Sequence, residues 1–141
     1  MNIQMNRLDD AFHFQAIGPS DIPIHIDAGK GVGGAGNGAR PMELVAMGLA
    51  GCSAIDFILI LKKQRQELTD IRINIEAKRF ENQTPSPFEH INFKFLLVGK
   101  LDEKKVAKAL HLSIEKYCSV AEMVKSTAKI DYSFEILDRI E

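Results

Sequence analysis

Early in the chain, apolar and polar positions alternate. Phe12, Phe14 and Ala16 share one face after a turn at Leu8-Asp9-Asp10. Beyond the Gly18-Pro19-Ser20-Asp21 turn, Ile22, Ile24 and Ile26 alternate with Pro23, His25 and Asp27. A period of two is that of half-buried strands. Pro23 has no N–H to give to a ladder, which places its strand at a sheet edge. The pattern then changes. Gly29 to Gly38 is a glycine-rich loop, and from Pro41 to about Glu67 the chain reads as one helix. Pro41 suits the first helical position, and Glu43 lies in the first turn, where the helix dipole favours a carboxylate. Between Val45 and Leu61 apolar residues occupy nearly every side, the mark of an enclosed helix. Lys62, Lys63 and Arg65 follow, complementing the C-terminal carbonyls.

Alternation returns with Ile71, Ile73, Ile75 and Ala77 on one face of a strand and Ile91, Phe93, Phe95 and Leu97 on one face of the next. Asn82 to Pro87 connects them. Leu96 and Val98 predict partial cover on the second strand's other face. Asp102 is a good N-cap for a helix from Lys105 to Val124, with Val106, Leu110, Ser113, Ile114, Tyr117, Cys118 and Ala121 along one stripe. Ile130, Tyr132, Phe134 and Ile136 predict a final strand. The order is strands, central helix, two strands, helix, strand: an α+β class, read as one domain over residues 1–141.

Composition narrows the function. Hydrophobic residues make up 45% and charged ones 26%, as in a folded chain. With 18 basic against 19 acidic side chains there is no basic footprint for a nucleic acid. The opening residues predict no secretory leader, and the run from Leu44 to Leu61, interrupted by Cys52, Ser53 and Asp56, reads as a buried helix rather than a membrane span. A cytoplasmic protein with reduced thiols is expected. Gly29, Gly31 and Gly34 satisfy GxGxxG, but Asn37 to Arg40 separate them from the helix, so a mobile or tightly turning loop is expected rather than a dinucleotide site. Neither the widely separated cysteines nor the four histidines show metal-ligand spacing, and no metal or cofactor is expected.

Cys52 and Cys118 carry the candidate chemistry. Each also reads as a small buried hydrophobe. The functional reading requires a thiolate nucleophile and a second thiol that closes a disulfide, which in turn requires Cα atoms within about 7 Å. Asp56 lies one turn beyond Cys52; a carboxylate there disfavours a thiolate, so it is read as part of a polar network or helix contact. Glu43 precedes Cys52 by about 180° of rotation and about 13 Å of rise, too far for contact along one straight helix. His111 stands about 10 Å before Cys118 and is read as an ordinary half-exposed histidine; Tyr117 and Tyr132 are read as core or interface residues.

Arg40-Pro41-Met42-Glu43-Leu44, Gly51-Cys52-Ser53-Ala54-Ile55-Asp56 and Glu115-Lys116-Tyr117-Cys118-Ser119-Val120-Ala121 together resemble the OsmC/Ohr family of osmotically inducible and organic hydroperoxide resistance proteins, most closely its YhfA-like branch. The resemblance implies an intertwined homodimer whose central helices are wrapped by strands of both chains. It implies a peroxidase that reduces organic hydroperoxides, with Cys52 as nucleophile, Cys118 as resolving thiol, and a dithiol reductant, in some members a lipoylated protein. It places the family glutamate on Glu43. The family's catalytic arginine comes from the N-terminal strands, where Arg7 alone precedes Arg40, so Arg7 and Arg40 are the candidates. The other reading of the same fold is a noncatalytic small-ligand-binding or stress-response protein with structural cysteines.

Overall fold

The computed structural model describes residues 1–140. The chain falls into two compact units, Met1–Met47 and the remainder from Gly48. In the first, β1 (Gln4–Arg7), β2 (Phe14–Ile17) and β3 (Pro23–Ile26) form an antiparallel sheet in the order β1-β2-β3. Pro23 opens the edge strand β3 opposite Ile17, where its missing N–H costs no ladder bond. β1 is not signalled by the sequence, because all four of its residues are exposed and no apolar face marks it. The turn after it is held locally: Asp9 Oδ1 accepts the N–H groups of Ala11 and His13 at 2.9 and 3.1 Å. Across the sheet, His13 Nε2 and His25 Nδ1 lie 2.8 Å apart.

The glycine-rich loop is built around one carboxylate. Asp27 is 2% exposed and accepts the backbone N–H groups of Ala28, Ala35 and Asn37 at 2.7, 3.2 and 2.9 Å. A single 3₁₀ turn at Lys30–Val32 closes against Gly33, whose φ of 95° suits glycine. At Gly34 a Cβ would stand 1.9 Å from the Ala28 carbonyl oxygen, so only glycine allows the loop to close this tightly. Of the two forms expected for this segment, mobile or tightly turning, the hydrogen bonds to Asp27 describe the second.

α1 (Pro41–Lys63) begins at Pro41 as expected, with the Arg40 N–H donating to Glu43 Oε2 at 2.9 Å, one half of a capping box. It ends earlier than the sequence predicts. Arg65 takes φ 55°, the Gln66 N–H returns to the Leu61 carbonyl at 3.0 Å, and the chain passes straight into β4 (Glu67–Arg79). The residues expected as a last helical turn are therefore a cap and a strand start. The helix is also not enclosed by its own chain: Leu49, Ser53, Phe57 and Leu61, at i+4 spacing, are its buried residues. Ile55 and Leu59 remain 62% and 49% exposed. By length and composition α1 is apolar enough to cross a bilayer.

The second sheet has the order β4-β5-β6, with β5 (Phe88–Lys100) at its centre. β4 and β5 are antiparallel, and β5 pairs in parallel with β6 (Lys129–Leu137). A parallel pair needs a crossover, supplied by the helical segment between them. Ile91, Phe93, Phe95 and Leu97 are fully buried on one face of β5, while Leu96 and Val98 on the other are half-buried. Phe57 of α1 meets Phe95 with ring centroids 5.4 Å apart, which seats the helix on this sheet.

The crossover corrects the expectation of one continuous helix. α2 (Glu103–Leu112) is capped by Asp102, whose Oδ1 accepts the Lys105 N–H at 2.9 Å. Ser113–Tyr117 then widens into a π turn, closed by the Cys118 N–H on the Ser113 carbonyl at 2.8 Å. Cys118 itself is extended, with φ −70° and ψ 106°, and α3 (Ser119–Val124) starts anew after it. This break throws Tyr117 off the apolar stripe, and it stands 51% exposed.

Candidate active site

The kink places Cys118 differently from a residue within a helix. As N-cap of α3, its Sγ accepts the Ala121 N–H at 3.3 Å, and it lies 4.0 Å from the Leu49 carbonyl oxygen of α1. Cys118 is 3% exposed, whereas Cys52 is half-buried; both are free thiols. The pair lies near disulfide distance. Burial pushes the Cys118 thiol up from its ordinary value, and the Cys52 thiol adds to this; the Ser53 hydroxyl and the Ala121 N–H act the other way. The sequence-predicted pair is thus brought together, one thiol half-buried and one enclosed.

His111 Nδ1 meets the Tyr132 hydroxyl at 3.0 Å, and Lys125 pairs with Glu115 at 2.8 Å across the kink. Burial, and then the Glu115 charge, raises the Tyr132 hydroxyl above its ordinary value. His111 and Tyr132 therefore belong to a network bracing the kinked crossover on β6. Asp56 is half-buried.

The other candidates lie in the first unit. Arg40 donates through Nε to Glu43 Oε1 at 2.7 Å and also engages that oxygen through Nη2. The Arg40 backbone N–H and then its guanidinium hold Glu43 below the usual glutamate value. Arg7 is turned to its own hairpin, donating to the carbonyls of Asp10 and Ala11. Of the two arginines, Arg40 is the one paired with Glu43. Among the described residues, no group of three or more His, Cys, Asp or Glu is placed to hold a metal ion.

The sequence profile described as OsmC-like protein matches residues 34–133. This chain belongs to the OsmC-like family. Among its OsmC-like relatives, Protein YhfA of Escherichia coli strain K12 is 44% identical over 98 residues, which is 69% of this chain and 72% of that protein. The crystal structure of a hypothetical protein from Aquifex aeolicus VF5 is 35% identical, with a TM-score of 0.80 over 96% of each chain. An organic hydroperoxide resistance protein from Legionella pneumophila shares the OsmC-like fold at 13% identity, with a TM-score of 0.73 over 96% of this chain and 97% of that one.

Sequence reasoning found both thiols but not what faces them. Ser53 is fully buried, and its Oγ has no hydrogen-bond partner among the described residues. Its adjacency to Cys52 was the available signal, yet neighbours on a helix point about 100° apart. Only the fold shows that Ser53 shares the buried face of α1 with Leu49, whose carbonyl oxygen lies 4.0 Å from the sulfur of the other cysteine.

Proposed function

We propose that this protein is a cysteine-based peroxidase that reduces organic hydroperoxides. The observation that carries the reading is the pairing of a solvent-reachable thiol, Cys52, with a buried thiol, Cys118, near disulfide distance. In the first step the Cys52 thiolate attacks a peroxide oxygen. An S–O bond forms, the O–O bond breaks, and the alkoxide leaves as an alcohol after taking a proton. The Cys118 thiolate then attacks the Cys52 sulfenic acid: the S–S bond forms, the S–O bond breaks, and hydroxide leaves and takes a proton from solvent to become water. A dithiol reductant, such as a lipoylated protein, exchanges with the disulfide to restore both thiols.

Glu43 and Arg40 are assigned as the family's charged pair, on the strength of their mutual ion pair at the start of α1. The whole chain acts as one OsmC-like domain in a homodimer, the exposed face of α1 being covered by a second copy. A reducing compartment such as the cytoplasm keeps both cysteines as thiols between turnovers.

The test mixes reduced protein with cumene hydroperoxide and follows peroxide and free thiol. Cys52→Ser is expected to abolish consumption. Cys118→Ser is expected to consume one equivalent per chain and stop as the sulfenic acid. Unchanged turnover in Cys52→Ser would overturn the reading in favour of a noncatalytic protein with structural cysteines.

A further inference from the structure

We infer that Ser53 is a positioning residue for the second thiol: its hydroxyl is set to donate to the Cys118 thiolate when that thiolate forms. Three features of the geometry carry this. Ser53 sits one helical turn beyond Leu49 on the buried face of α1, and the Cys118 sulfur lies 4.0 Å from the Leu49 carbonyl oxygen. A helical serine ordinarily donates back to the carbonyl four residues earlier, which here is that same Leu49 oxygen. Yet the Ser53 hydroxyl makes no such bond, and among the described residues it has no hydrogen-bond partner, although it is fully buried.

A buried hydroxyl without a partner is unfavourable, so a compensating state of the molecule is called for. Deprotonation of Cys118 supplies one. Loss of the thiol proton leaves the sulfur, 4.0 Å from the Leu49 oxygen, as a charged acceptor with two donors to call on, the Ala121 N–H and the Ser53 hydroxyl. The remaining titratable group acting on the sulfur, Cys52, opposes its charge while both thiols are present. Oxidation of Cys52 to the sulfenic acid removes a competing thiolate at the step where the Cys118 thiolate is needed. The role in disulfide closure rests on the peroxidase reading; the role in holding the thiolate does not.

The experiment therefore measures the thiolate first. In the Cys52→Ser background, Cys118 is titrated through thiolate absorbance and through the pH dependence of its alkylation, with and without Ser53→Ala. Removal of the hydroxyl is expected to move the Cys118 midpoint up by about one unit, the loss of one hydrogen bond to a charged group. Thermal unfolding of the reduced protein should stay unchanged or shift upward, because Ser53 holds nothing in that state; a structural serine would shift it downward. With Cys52 restored, disulfide closure should slow by only about threefold. A tenfold loss of thiolate is partly offset by the greater nucleophilicity of a more basic one. An unmoved Cys118 midpoint in Ser53→Ala would overturn the inference even if hydroperoxide consumption is intact. A shifted midpoint in a protein that consumes no hydroperoxide would uphold it and overturn the peroxidase.

Discussion

Asp27 shows how much a single side chain settles in this protein. Its carboxylate gathers N–H groups from Ala28, Ala35 and Asn37 and so gives the glycine-rich loop one shape. The Asn37 N–H is the strongest of the influences that hold Asp27 below the ordinary aspartate value, acting against the cost of burial. A lowered carboxylate stabilises the fold fully above its unfolded value and loses that contribution as the pH falls through the folded one. Acid should therefore release the loop only below about pH 4. Asp27→Asn should release it at neutral pH, read as faster amide exchange at Ala35 and Asn37. Unchanged exchange there would show that the glycines alone shape the loop. In the sequence, Asp27 was one polar position in an alternating strand, and nothing local told that its acceptors face a loop ten residues on. The two thiols were more legible, because their motifs flank them directly. Ser53 was not, since its meaning depends on a residue far along the chain.

At the level of elements, the legible features were those encoded within a few residues. Pro41 opening α1, Asp102 capping α2, Pro23 at an edge and the alternation of β5 are all local chemistry. The kink at Cys118 was hidden, because no glycine or proline marks it and the apolar stripe continues through it by coincidence of spacing. β1 was hidden for the opposite reason: it lacks any apolar face. α1 is the instructive case. An all-round apolar helix reads as enclosed, yet one chain covers a single stripe of it. Ile55 and Leu59 are left exposed, and burying such a side chain contributes about 1.5–3 kcal/mol. Light scattering at micromolar concentration is expected to show a dimer, and Ile55→Lys is expected to give monomer or unfolded chain. A folded wild-type monomer would sink the dimer.

The whole molecule places its two cysteines far apart along the chain but side by side in space. Between them lie β4, β5 and α2, while β6 lies beyond Cys118 and pairs in parallel with β5. Joining the sulfurs would turn everything from Cys52 to Cys118 into a covalent ring, with β6 as a tail returning to the ring's central strand. A closed loop of that size removes about 4 kcal/mol of chain entropy from the unfolded state. The oxidised protein should accordingly melt well above the reduced one in matched scans, and an equal or lower melting temperature would mean that the bond strains the fold. The sheet would thus be lashed shut in the disulfide form and loosened in the dithiol form, tying the lifetime of the molecule to the oxidation state of two side chains.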